Sequence, residues 1–172
     1  MGDGIPFYRT KEIVELSQNK PISLDLYISE KHFNEIKGKF GIPKRGDILI
    51  SAVGTIGISW IIPDDRKFYF KDGNLLWIKN FKGINSHYLK FFFDYSFSSV
   101  SNLAAGGTYK ALTIVKLKKF KIPMISWEEQ KKIVEKLSAV QEHKKLLLKQ
   151  KSLLKELFDS ILSKCMKGEL VK

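Results

Sequence analysis

Apolar positions along the chain follow two different periods. Between residues 47 and 78, β-branched runs are broken by glycine and proline: Asp47-Ile48-Leu49-Ile50-Ser51, a turn at Gly54-Thr55-Ile56-Gly57, then Ile58-Ser59-Trp60-Ile61-Ile62 stopped by Pro63. Runs this dense predict strands buried on both faces or near a sheet centre. Lys67-Phe68-Tyr69-Phe70, a turn at Asp72-Gly73-Asn74 and Leu75-Leu76-Trp77-Ile78 predict a further hairpin. Upstream, Ile5 to Arg9 is extended and Thr10 is expected to cap a short helix over Lys11 to Leu16. Asp25 to Ile28 reads as a strand, and Ser29 as the cap of a helix carrying Phe33 and Ile36 until Gly38, Gly41, Pro43 and Gly46 break the pattern.

From Asn85 the period becomes helical. Tyr88, Leu89, Phe92, Phe93, Tyr95 and Phe97 form one apolar face, read as core packed on the sheet rather than as a base-stacking platform. Thr113 is expected to cap a short helix over Ile114 to Lys119, and Phe120 to Pro123 returns to extended form. Ser126-x-x-Glu129 is a capping box, with Glu128 and Glu129 placed to complement the helix dipole. Behind it a 3-4 spacing selects Ile133, Leu137, Val140, Lys144, Leu147, Lys151, Leu154, Phe158, Ile161 and Cys165. A helix of some 40 residues is about 60 Å long, more than a domain of this size can cover. Leu146, Leu148, Leu153 and Leu157 widen the stripe beyond a two-stranded seam, so packing against more than one helix, in a dimer or a larger complex, is predicted.

The fold class is therefore α+β: a twisted, mostly antiparallel sheet with packed helices over residues 1–125, followed by a long C-terminal helix of coiled-coil type over 126–172. A length of 172 residues, 44% of them hydrophobic, suits one core with an appendage. The domain opens almost at once on a core strand, which reads as a shortened start. Net charge is +12, and residues 1–127 hold 19 Lys and Arg against 11 Asp and Glu, leaving +8 on the globular part. Such a balance makes a polyanion the leading partner class, nucleic acid before membrane, with a merely solvated basic surface as the alternative. Cys165 stands alone, which excludes an intrachain disulfide or cysteine-built zinc site and suits a reducing cytoplasm. The N-terminus has no signal pattern and no apolar run reaches the length of a membrane span.

Catalytic equipment is missing. No phosphate-binding loop is present, since Gly54-Thr55-Ile56-Gly57 is too short and has no following lysine. His32, His87 and His143 lack metal-ligand spacing. Asp64-Asp65-Arg66-Lys67 reads as a turn, because a Mg²⁺ site would draw its carboxylates from separate strands. A methyl-transfer enzyme would need a glycine-rich cofactor loop after its first strand, and there is none. Binding remains. Gly106-Gly107-Thr108-Tyr109-Lys110 offers unhindered amides, a hydroxyl, a ring and an ammonium, with Lys116, Lys118, Lys119 and Lys121 beyond. Those groups suit phosphate contacts, and equally a turn that simply needs glycine.

Several of these stretches resemble, in order and spacing, the DNA-specificity subunit of type I restriction-modification enzymes. Gly4-Ile5-Pro6-Phe7-Tyr8-Arg9 with Lys11-Glu12-Ile13 looks like an early motif of its target recognition domain, and Gly46 to Ser51 with Gly54 to Gly57 is similar to its central strands. Gly107 to Leu112, then Ile122-Pro123, then Glu129 to Val134 and Leu137, resembles the passage into a spacer helix. The resemblance runs nearly end to end. It implies a protein with no catalytic residues, metal or cofactor of its own, in which two recognition domains each read half of a bipartite site and paired antiparallel helices set their distance. Methyltransferase subunits that bind S-adenosylmethionine themselves dock on that assembly, and the restriction subunit joins through them. One recognition domain and one helix, where the family has two of each, imply a homodimerising half-subunit or a fragment.

The resulting expectation is duplex-DNA binding through Arg9, Thr10, Lys11, Lys71, Asn74, Thr108, Tyr109 and Lys110, with self-association through Ile133, Leu137, Val140, Leu147, Leu154, Phe158 and Ile161. The rival expectation is a scaffold or inhibitor that engages a methyltransferase through its helix without reading DNA.

Overall fold

A computed structural model describes residues 4–70, 73–103 and 111–169, with side chains 98–103 left out of the description. The chain forms two compact units, Met1–Lys131 and Lys132–Lys172.

In the first unit the element order is β1 (Ile5–Tyr8), α1 (Thr10–Ser17), β2 (Tyr27–Ile28), α2 (Glu30–Phe40), β3 (Ile48–Ser51), β4 (Ser59–Ile61), β5 (Tyr69–Phe70), β6 (Leu75–Ile78), α3 (Ser86–Leu103) and α4 (Ile114–Leu117). The last helix, α5 (Trp127–Met166), begins in this unit and makes up most of the second. The strands form two small sheets, β2-β1-β5 and β4-β3-β6, in which only the β1–β5 pair is parallel. An α+β domain with mostly antiparallel sheets, followed by a long helix, is the predicted class.

All four residues of β3 are buried, so both of its hydrogen-bonding edges need partners. On one edge the expected hairpin forms, with Ile48 opposite Ile61 and Ile50 opposite Ser59. On the other edge lies β6, with Ser51 opposite Leu75 and Ile48 opposite Ile78. This overturns the hairpin predicted for Lys67 to Ile78. Tyr69 and Phe70 pair instead with Phe7 and Tyr8, because Phe68, Tyr69 and Phe70 are all buried and join the aromatic core. There Tyr8 stacks on Phe68 at 4.6 Å between ring centroids, and Trp60 lies 5.9 Å from Phe68. Burying such rings supplies much of the folding free energy of a domain this small.

Asp47 ties the second sheet together. Its carboxylate accepts hydrogen bonds from the Lys44 backbone N–H at 3.0 Å, the Trp77 indole N–H at 2.8 Å and the Asn80 backbone N–H at 2.8 Å. The group is buried, and these donors replace the water it lost. Gly57 marks another close approach: at φ +88° an added Cβ would lie 2.8 Å from that of Phe97.

Most predicted caps form. Ser29 Oγ accepts from His32 N–H, Thr113 Oγ1 accepts from Lys116 N–H, and Ser126 and Glu129 exchange the two bonds of the predicted box. Thr10 is not the cap of α1. The extended residue is Arg9, whose backbone N–H donates to Glu12 Oε2 at 2.8 Å. On α3, Tyr88, Leu89 and Phe93 are buried as predicted, whereas Tyr95 is 73% exposed. It sits two residues beyond Phe93, about 200° around the helix. The rings of Phe92, Phe93 and Phe97 meet Phe120 at 5.5–6.4 Å, and Tyr88 Oη donates to Pro123 O at 2.9 Å.

Replacing Asp47 with Ala strands its buried donors and is expected to cost about 1–3 kcal/mol, read as a lower midpoint in denaturant unfolding. Burial alone would raise the Glu12 carboxyl, but hydrogen bonds from the Arg9 guanidinium and backbone N–H outweigh it and hold it below the usual range. Its contribution to stability is therefore complete above about pH 4.3 and lost as the pH falls further. Thermal unfolding between pH 7 and pH 3 should show that acid-side loss in the wild type and a flatter limb in Glu12→Gln.

Candidate nucleic-acid interface

The backbone brings candidate segments that are far apart in sequence to neighbouring places. Tyr8 and Phe70 are opposite each other in the parallel pair, so the chain leaves β1 toward Arg9-Thr10-Lys11 and leaves β5 toward Asn74 from the same end of the sheet. Asn74 O accepts from Ala52 N–H at 2.8 Å, and Ala52 O accepts from Leu112 N–H at 2.8 Å. The stretch that follows Lys110 therefore re-enters the described structure beside the β6 turn. Lys71, Thr108, Tyr109 and Lys110 lie outside the described residues.

These candidate residues differ in how their charge is used. Arg9 is held by carboxylates, with its guanidinium 2.7 Å from Glu12 and 3.4 Å from Asp25. Hydrogen bonding to Glu12 raises its pKa further, so its charge is spent within the domain. Lys11 is exposed, while Thr10 and Asn74 are half-buried. Arg66 is similarly spent on Asp64, at 2.7 and 2.5 Å. Those bonds lower Asp64 to about 2, and Asp65 accepts from the Arg45 backbone N–H. The acidic pair is thus a turn, in keeping with its sequence. No group of three or more metal-binding side chains occurs among the described residues.

Sequence reasoning does not select a second basic surface that the fold assembles. Lys37, Lys39, Lys44 and Arg45 are exposed along the end of α2 and the loop into β3, with no acidic residue among them. Lys79 joins them: its ammonium lies 4.6 Å from the Trp77 ring centroid and 3.5 Å from Phe40 O. Asp47, by binding both the Lys44 and Asn80 backbones, brings the two stretches side by side. The acid-free run Lys37 to Gly46 is the available signal, but its glycines and proline read only as a helix break.

Gln130 also escapes sequence reasoning, since it reads simply as a first-turn residue of the long helix. It is fully buried; its side-chain oxygen accepts from Asn85 N–H at 2.8 Å, and its amide donates to Gly83 O and Ile125 O at 2.9 and 3.0 Å. The first turn of α5 is thereby locked to the loop before α3. In the second unit, Ile133, Leu137, Val140, Leu147, Leu154, Phe158 and Ile161 are all exposed. Among the described residues no helix is long and apolar enough to cross a membrane.

Comparison with known proteins bears on these surfaces. A putative type I restriction enzyme specificity subunit of Haemophilus influenzae, S.HindORF215P, is 39% identical over 130 residues, covering 76% of this chain and 31% of its own length. A chain solved in work on complex assembly and conformational transition of the type I R-M system matches with a TM-score of 0.68 at 22% identity, covering 98% of this chain and 40% of that one. The HsdS subunit of Thermoanaerobacter tengcongensis matches with a TM-score of 0.63 at 20% identity, covering 99% and 39%. The two structures establish the shared fold, and the chain spans about a third of the curated relative and two fifths of the solved chains. The type I restriction modification DNA specificity domain matches residues 1–156, and this chain belongs to that family.

Proposed function

We propose that the first unit reads duplex DNA on behalf of a type I restriction-modification complex. The observation that carries this is the backbone link through Ala52, which sets Asn74 beside the stretch that follows Lys110. Together with the β1–β5 pairing, it supports one contact region made from segments far apart in sequence. Polar side chains there, Thr10, Asn74, Thr108 and Tyr109, would read base edges, and Lys11, Lys71 and Lys110 would hold phosphates. The exposed basic residues Lys37, Lys39, Lys44, Arg45 and Lys79 add phosphate contacts, whereas Arg9, already paired with Glu12, serves mainly to shape its loop.

The exposed stripe of α5 supports a half-subunit that pairs with a second copy, giving two equal readers and a two-fold symmetric, interrupted target. In this reading residues 126–172 are the spacer and 1–125 the recognition domain. The methyltransferase subunit docks on the pair and the restriction subunit joins through it; neither needs a cofactor from this chain.

Duplex containing the cognate site should bind more tightly than scrambled duplex, with affinity falling steeply between 50 and 200 mM salt. Lys44→Glu with Arg45→Glu should weaken both by a similar factor and reduce the salt slope by about 1 per lost phosphate contact. Absence of binding to any duplex at low salt would sink the DNA-reading assignment. In sedimentation equilibrium the full chain should be a dimer, and Leu147→Asp with Leu154→Asp a monomer whose first unit stays folded by near-ultraviolet circular dichroism.

A further inference from the structure

β6 is an edge strand, since its sheet runs β4-β3-β6. Its register with β3 fixes which of its backbone groups point outward. Ala52 N–H donates to Asn74 O at 2.8 Å, and in the same ladder Ile50 lies opposite Leu76 and Ile48 opposite Ile78. Alternate residues of an antiparallel strand bond to the neighbour, so Asn74, Leu76 and Ile78 face β3, while the amides and carbonyls of Leu75, Trp77 and Lys79 face away. The other edge of β3 agrees, because Ser51 N–H donates to Ile58 O and Ile62 N–H to Asp47 O, from the alternate set of residues.

Among the described residues, nothing bonds to the outward amides and carbonyls of Trp77 and Lys79. Leu75 is buried, Trp77 half-buried and Lys79 exposed, so the open part of the edge is its second half. β5 is the strand that could have closed it. In a hairpin over Lys67 to Ile78, Tyr69 and Phe70 would lie along this edge, but they pair with β1 instead. The far edge of the sheet is different: Ser59 of β4 is buried, with its hydroxyl bonded to Asp94 of α3.

The two faces of the open edge are unlike. Side chains alternate along a strand, so Leu76 and Ile78 share one face and Trp77 and Lys79 the other. Leu76 and Ile78 are half-buried and apolar. On the other face the Lys79 ammonium lies 4.6 Å from the Trp77 ring centroid and 3.5 Å from Phe40 O, which brings the last turn of α2, with Lys37 and Lys39, to this side. Among the described residues none of these three lysines is paired with a carboxylate.

We propose that the open edge of β6 takes up an extended segment of a partner polypeptide as a fourth strand, and that this segment alternates apolar and acidic residues. Its backbone bonds to the outward groups of Trp77 and Lys79. Its apolar side chains continue the face of Leu76 and Ile78, and its carboxylates meet Lys79, with Lys37 and Lys39 beyond. A second copy is the poorer occupant. Residues 1–127 carry 19 basic against 11 acidic residues, a net +8, and a lysine on an edge strand opposes pairing with a domain of the same sign. The DNA contacts proposed above use side chains of this surface and leave the backbone edge unfilled, so the added strand is a further partner.

A synthetic peptide of alternating valine and glutamate is the probe, with a control peptide in which the same valines all precede the same glutamates. Added to the full chain, the alternating peptide is expected to slow amide hydrogen exchange at Trp77 and Lys79 about tenfold, read by NMR, and to change little at Leu76 and Ile78, whose amides β3 already holds. Lys79→Ala is expected to weaken its binding about threefold through the lost charge. Lys79→Pro also removes an outward N–H, at an edge position where proline is tolerated, and is expected to weaken binding about tenfold or more. Near-ultraviolet circular dichroism checks that both variants stay folded, and if the proline variant does not, exchange in the wild type decides alone. Failure of the alternating peptide to bind would overturn the proposal. Equal binding of the control peptide, or equal losses in the two variants, would reduce the effect to charge and overturn strand addition. Protection of Trp77 and Lys79 that grows with protein concentration and needs no peptide would give the edge to a second copy. Protection by duplex DNA in place of the peptide would give it to nucleic acid, and either result would overturn the polypeptide partner.

Discussion

β3 is buried along its whole length, and a buried strand must find hydrogen-bond partners on both edges. That requirement organises the first unit. It draws β4 to one side through a short turn and takes β6 away from the strand just before it in sequence, leaving β5 to pair with β1. The carboxylate of Asp47, at the foot of β3, then binds the backbone of the loop before β3 and of the stretch after β6. Replacing a hairpin with two strand exchanges has a consequence for the surface, because segments from distant parts of the sequence leave the sheets close together. The region proposed to face DNA is a by-product of satisfying β3.

Charge on this surface is divided between cations already neutralised and cations left to water. Arg9 and Arg66 are bound to carboxylates a few residues away, in geometry that suits guanidinium and carboxylate. Exposed pairs of this kind contribute little to stability, but they remove positive charge from the field a polyanion would meet. Lys11, Lys37, Lys39, Lys44 and Lys79 are instead exposed. Counting basic residues gives the net charge; which of them can meet phosphate depends on the pairing.

The second unit has the opposite problem, since its apolar residues lack cover rather than partners for polar groups. A helix of 40 residues with an exposed apolar seam is stable where another helix lies against it. Its start is well anchored, because Gln130 satisfies one backbone N–H and two carbonyls of the first unit at once. A buried amide that donates and accepts in this way holds the first turn in one orientation.

Local signals were legible in the sequence wherever a short-range rule decides the outcome. Ser29, Thr113 and the Ser126–Glu129 box cap helices because their oxygens reach amides three residues away, and the β3–β4 hairpin forms because its turn and flanking strands agree. The heptad of α5, with its two lysines, is likewise written in the order of residues. Tertiary structure decided what depends on distant partners: that β5 leaves β6 for β1, that Arg9 also reaches Asp25, that Lys79 joins Lys44, and that Gln130 is buried. Each of these is a hydrogen bond or ion pair satisfied by a residue whose nearness the linear sequence does not encode, and the demand of buried polar groups for partners is what brought them together.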